Sequence, residues 1–260
     1  YPSGSINTDL VGIQALMAAQ GAYGATKGQY LKATSMYLTS TMGMAYSLSN
    51  KISMAISGRY IDAKNTTKAG VTLTASPLGL DDAPLELNTE DKAIGFGGVI
   101  SMMYDVSPRF RSTLRYETAV NLNFETTQVK DDLGITTNGE KSRRDLPAVL
   151  AWGAAFAAST NVSIYGDVNY YFQKNANWGD FNNGTSVEDY SDMAGDAVSL
   201  NLAATFNITP KLMWSAGGGY TDFKYSDVSG YFTKTGAFET IPTDNWNINT
   251  GFSVKASKNV

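Results

Sequence analysis

The chain has 260 residues, a net charge of −4, no Cys and no His. The missing thiols exclude a disulfide scaffold and thiolate metal sites, and the missing imidazoles remove the commonest general base and most hydrolytic triads, so an enzyme is not expected. The negative balance argues against a nucleic-acid partner. No apolar run approaches the roughly 18 residues of a membrane helix, and the longest, 148–158, is interrupted by Gly153.

The chain begins at Tyr1 with neither an initiator Met nor a basic leader, as expected of a trimmed or mature protein. Residues 1–29 read as a loop segment holding a short amphipathic helix. Thr8 is its N-cap, Gly21 its stop, and Leu10, Ile13, Leu16 and Met17 lie at roughly helical spacing. By spacing alone, that apolar face packs first on a loop or rim; a landing surface for a ligand is the alternative.

Residues 30–260 read as nine strands: 30–48, 51–64, 93–106, 109–127, 147–158, 161–173, 196–208, 211–225 and 244–256. The clearest runs from Arg109 to Thr126. Its even positions include Phe110, Leu114, Tyr116, Val120, Leu122 and Phe124, and its odd positions Arg109, Arg111, Arg115, Glu117, Asn121, Asn123 and Glu125. Period-two alternation sends these sets to opposite faces of one long strand. A soluble sandwich would bury the apolar set against a second sheet, whereas a membrane barrel would turn it to lipid.

A repeat favours the barrel. Tyr46-Ser49-Lys51-Tyr60, Tyr104-Ser107-Arg109-Tyr116, Phe156-Ser159-Asn161-Tyr170 and Phe206-Thr209-Lys211-Tyr220 share an aromatic, a polar turn and a closing Tyr. The turns, with a fifth at Ser257, recur at intervals of 58, 52, 50 and 48 residues, a two-strand repeat rather than the shorter elements of a solenoid or propeller. Each closing Tyr lies 9 to 11 residues beyond its turn, and a tilted transmembrane strand needs about 9–11 residues. The aromatics thus fall at both edges of an apolar band, where girdles belong. Between the short turns lie long polar loops, 65–89, 129–145, 175–195 and 226–243, so short turns are expected on the periplasmic rim and long loops outside the cell. Because bacterial barrels have even strand numbers, further strands are expected beyond both ends.

Particular blocks carry a resemblance. They are 45–53 with 58–65, Leu114-Arg115-Tyr116-Glu117-Thr118 with 122–127, Asn138-Gly139-Glu140-Lys141-Ser142-Arg143-Arg144-Asp145-Leu146-Pro147-Ala148, and 170–178. In order and spacing these resemble the FadL family of outer-membrane transporters for long-chain fatty acids and other hydrophobic compounds, over roughly residues 30 to 225. The resemblance implies an all-β, antiparallel transmembrane β-barrel of fourteen strands in a Gram-negative outer membrane, with an N-terminal hatch and a ligand-gated lateral opening. It implies a monomer in contact with lipid bilayer and lipopolysaccharide, a fatty-acid-like ligand and no cofactor. It also makes the helix with Leu10, Ile13, Leu16 and Met17 a landing surface. No segment here matches the hatch or the last strand. A general porin for small polar solutes, or a structural or adhesive barrel, is the alternative.

Arg59, Arg111, Arg115, Glu117, Asn121, Asn123, Glu125, Asp167 and Asn169 are expected to face the lumen. They either brace the wall as ion pairs or offer a guanidinium fork to a carboxylate. Arg115, beside Glu117, is the expected brace and Arg111 the expected ligand contact. No metal site is expected: Asp81-Asp82 and Asp131-Asp132 read as solvated loop carboxylates. Gly217-Gly218-Gly219 marks a bend or close approach.

Overall fold

A computed structural model describes residues 4–8 (backbone), 23–132, 134, 136–182, 187–189, 194–225 and 244–255. The strands, in chain order, are β1 (Gly4–Thr8), β2 (Ala25–Ser47), β3 (Ile52–Thr74), β4 (Ala83–Ser107), β5 (Phe110–Glu117), β6 (Asn123–Asp131), β7 (Lys141–Arg143), β8 (Val149–Ala157), β9 (Val162–Tyr171), β10 (Asp180–Asn182), β11 (Val187–Asp189), β12 (Ala194–Thr209), β13 (Leu212–Tyr225) and β14 (Asn245–Val254). Among the described residues twelve of them form one sheet, β1-β2-β3-β4-β5-β8-β9-β12-β13-β14, with β6 on β4 and β7 on β6; β10 and β11 pair apart. With β6–β7 and β10–β11 set aside, successive strands are neighbours in the sheet, as antiparallel hairpins require. The chain divides into two units, one of Tyr1–Ser40, Tyr60–Gly95 and Leu122–Arg143, the other of Thr41–Arg59, Phe96–Asn121 and Arg144–Val260.

In the second unit the register aligns side chains into lateral rows. Met102, Leu114, Trp152, Val168, Leu200, Tyr220 and Trp246 are successive partners across seven strands. The row beside it on the opposite face is Ser101, Arg115, Ala151, Asn169, Ser199, Thr221 and Asn245. One face is thus apolar and the other polar over the whole unit, because every strand keeps its period-two pattern in register. The apolar face is left uncovered: Met42, Ile100, Leu114, Trp152, Leu202 and Ile248 are all exposed.

The short turns are built alike. The side-chain oxygens of Ser49, Ser107, Ser159 and Thr209 each accept the backbone N–H groups two and three residues on, at 3.0–3.2 Å. That hydroxyl turn explains the Ser/Thr in the repeat. The carbonyls of Lys51, Arg109, Asn161 and Lys211 then accept the N–H of Asp105, Ala157, Asn207 and Lys255 at 2.8–2.9 Å. Each turn is therefore tied to the next hairpin.

Expected loop and strand bounds need correction, and the loops expected over 129–145 and 175–195 hold the short strands β7, β10 and β11. The loop expected over 65–89 is mostly strand: β3 runs to Thr74 and β4 starts at Ala83, leaving only 75–82 as connection. Its Thr and Val residues suit strands whatever their polarity, and Ala75 (φ 54°) and Gly79 (φ 72°) supply the reversal. The single strand expected over 109–127 is interrupted between Glu117 and Asn123. Val99 pairs with Glu117 and Lys92 with Glu125, so 93–98 of β4 run opposite the one-residue-longer 118–124. That extra residue is a bulge, and it inverts the alternation beyond it. Gly97 shares its side of β4 with Val99 and Ser101, and a Cβ there would lie 2.8 Å from Val120 Cγ2. Val120 has thus turned to the side opposite Leu114 and Tyr116. Leu122 and Phe124 follow it and are 0% and 1% exposed, while Asn121, Asn123 and Glu125 face outward.

The first unit has its own apolar interior. Ile61, Ala63, Val71 and Leu73 of β3 are buried, as is the cluster of Leu31, Ala69 and Leu87. Phe124 meets Tyr37 edge to face, with ring centroids 6.4 Å apart. Gly4–Thr8 pair antiparallel with Leu31–Ser35, so part of the first segment belongs to the sheet. Leu10, Ile13, Leu16 and Met17 lie outside the described residues.

Candidate functional site

The polar face of the second unit gathers most of the expected residues. At one end Glu117, the last residue of β5, is shared by two arginines. Arg59 Nη1 of β3 donates to Glu117 Oε2, and Arg115 Nη2 lies 3.1 Å from Glu117 Oε1. Arg59 and Glu117 are 9% and 13% exposed, whereas Arg115 is 49% exposed. The group therefore carries one excess positive charge, on its accessible member. Arg59 Nε is buried with no hydrogen-bond partner among the described residues. A Cβ at Gly97 would lie 3.7 Å from this nitrogen, an ordinary packing distance.

Arg111, the expected ligand contact, donates from Nε to Asp105 Oδ1 at 2.6 Å. It lies near the short-turn end of β5, four residues from Arg115, so the two do not act together. Asn121 and Asn123, expected in the lumen, stand on the exposed side because the bulge reverses their parity.

Farther along the same polar face, Asp167 Oδ2 accepts the side-chain amides of Asn169 at 2.6 Å and Asn201 at 2.9 Å. Asp167, Asn201, Asn247, Asn249 and Tyr165 border a cavity of about 270 Å³ over Gly217. A Cβ at Gly217 would come 2.8 Å from Ala203 Cβ, and one at Gly219 would come 2.1 Å from Asn201 Oδ1. The glycine run is thus a close approach that deepens this wall. Asn201, Asn247 and Asn249 were missed as site residues. Each reads as an ordinary polar strand position, and only the register of β12, β13 and β14 brings them together.

The loop carboxylates have structural work. Asp131 accepts the N–H groups of Gly134 and Thr136 and the Thr136 hydroxyl, and Asp82 pairs with Lys27 at 2.7 Å. Glu90, in the first unit beyond the Tyr60 girdle, is held below the usual carboxylate range by hydrogen bonds from Lys64 and then Lys92.

No protein-family model and no curated protein sequence matches the chain. Solved structures do. A deletion mutant of the monoaromatic hydrocarbon channel TodX matches with a TM-score of 0.63 at 12% identity, over 98% of this chain and 69% of that one. A FadL homologue from Pseudomonas aeruginosa matches at 0.58 and 11% identity, over 88% and 57%. The toluene transporter TbuX from Ralstonia pickettii matches at 0.53 and 14% identity, over 85% and 68%. The chain thus spans 57–69% of the length of these channels. The fold of the chain, a sheet of antiparallel strands with one apolar and one polar face, is the antiparallel β-barrel fold of these FadL-type structures.

Proposed function

We propose that the chain is the larger part of a FadL-family outer-membrane channel that admits hydrophobic small molecules, long-chain fatty acids among them, by diffusion. The observation that carries this reading is the apolar interior of the first unit, where Ile61, Leu122 and Phe124 are fully buried. A water-filled porin needs polar groups there. Neighbours of the same fold are a hydrocarbon channel and a toluene transporter, which supports a hydrophobic ligand here. Arg115, left with the accessible share of the excess charge, gives the wall a preference for an acid headgroup. The protein acts as a monomer, its lipid face set among phospholipid and lipopolysaccharide. Leu10, Ile13, Leu16 and Met17 give the ligand its first, weak landing surface outside the barrel.

The full-length protein in lipid vesicles should speed the entry of a long-chain fatty acid while leaving the vesicles tight to small sugars. Sugar permeation without fatty-acid entry would favour the porin reading. That second reading draws on the cavity lined by Asp167, Asn201, Asn247 and Asn249, whose groups suit water or a polar solute.

A further inference from the structure

The short-turn end of the inner wall holds a second cavity, of about 240 Å³, that includes neither Glu117 nor the asparagine wall. It exists because of β8. The inward residues of β8 there are Ala155 and Ala157, which offer only methyl groups. Arg111 pairs across to Ala155, and Ala155 to Tyr165; Ala157 pairs with Ser163. Side chains of β5 and β9 therefore form two walls, two strand spacings or roughly 10 Å apart, over a shallow floor.

One wall is cationic. Arg109, in the turn that precedes β5, and Arg111, in β5, both line the cavity. Arg111 is engaged by Asp105 at 2.6 Å. Arg109 is exposed and has no ion-pair partner among the described residues. Its backbone is fixed on both sides: its N–H donates to Ser107 Oγ at 3.2 Å, and its carbonyl accepts Ala157 N–H at 2.8 Å. The guanidinium thus hangs from a rigid turn beside the cavity. The charged groups lining it are Asp105, Arg109 and Arg111, a net charge of +1. The opposite wall adds the Ser163 hydroxyl and the Tyr165 ring. The neighbouring short turns present Lys51, Lys211 and Lys255, all exposed, and 48–51, 158–161 and 208–211 contain no Asp or Glu. The field at this mouth is positive.

We infer that this cavity binds the carboxylate of an amphiphilic acid at the short-turn mouth of the barrel, with Arg109 as its principal contact. The fork of Arg109 receives the carboxylate oxygens, and the alanine floor and Tyr165 ring receive the first methylenes. This rests on the hydrophobic-ligand reading above and adds to it a second acid site on the inner wall.

The test is calorimetric titration of the full-length protein, in an uncharged detergent, with octanoate, 1-octanol and acetate. Arg109→Ala should weaken octanoate binding about tenfold, the loss of one charge-assisted contact. It should leave octanol binding within about twofold. Arg109→Lys should fall between, and Lys211→Ala, which removes a rim charge away from the cavity, should change octanoate binding less than about twofold. Unchanged octanoate binding in Arg109→Ala overturns the site while octanol binding keeps the hydrophobic channel. An equal loss in Lys211→Ala overturns it in favour of a diffuse field. Acetate binding as tightly as octanoate overturns it in favour of a small-anion site. Failure of both octanoate and octanol to bind the unmodified protein overturns the site and the channel reading together.

Discussion

At the scale of single residues, Glu117 decides the inner wall. It takes Arg59 on one carboxylate oxygen and Arg115 on the other, and its two partners differ in burial by a wide margin. Removing a carboxylate from a buried guanidinium leaves a charge that neither water nor another anion reaches, which costs several kcal/mol. An exposed pair contributes at most about 1 kcal/mol. Glu117→Gln should therefore destabilise the protein by about 3 kcal/mol and Arg115→Ala by less than about 1 kcal/mol in urea unfolding from lipid vesicles. Equal losses would mean that Arg59 is solvated in the folded protein. The adjacency of Arg115 and Glu117 on one strand face could be read from the chain. The arrival of Arg59 from β3, 58 residues earlier, could not.

At the scale of elements, the interruption after Glu117 changes the sense of a whole segment. The alternation of polar and apolar residues continues unbroken from Arg109 to Thr126, so the chain gives no local sign of the extra residue. What reveals it is the partner strand, whose 93–98 is one residue shorter than 118–124. The bulge sends Val120, Leu122 and Phe124 inward and Asn121 and Asn123 outward. Since the protein has no Cys, single cysteines report this directly. Asn123→Cys should react with a water-soluble maleimide far faster than Phe124→Cys, on the order of tenfold. Deleting Ala119 should reverse that order, because parity moves with every residue inserted or lost. If Phe124→Cys reacted as fast as Asn123→Cys with Ala119 in place, the inward turn of Phe124 would be wrong.

At the scale of the whole molecule, the lateral rows make a continuous apolar belt out of strands that are each only partly apolar. Leu114 sits mid-row, with Met102 and Trp152 beside it, and Thr113 points the other way toward Gly153. Arginine on the lipid face near the midplane costs about 2–4 kcal/mol, whereas the inner wall already accommodates charge. Leu114→Arg should therefore lower stability in vesicles by that amount, and Thr113→Arg by under about 1 kcal/mol. Equal losses would refute the facing of β5.

The sequence by itself did not determine where β3 ends and β4 begins, or the break after Glu117; it determined where most of the long strands lie, the two faces of each, the hydroxyl turns and the spacing of the aromatics. These are local properties: a period of two, a Ser or Thr beside free N–H groups, and a strand length matched to a bilayer. The tertiary structure decided what depends on register between distant segments. It paired Arg59 with Glu117, set Asn201, Asn247 and Asn249 around one cavity, turned Phe124 inward at the bulge, and placed Arg109 beside an alanine floor. Register is fixed by hydrogen bonding between strands, and a shift of one residue exchanges every inward side chain for its outward neighbour. A single strand therefore shows that it has two faces, and its partner strand determines which of them lines the lumen.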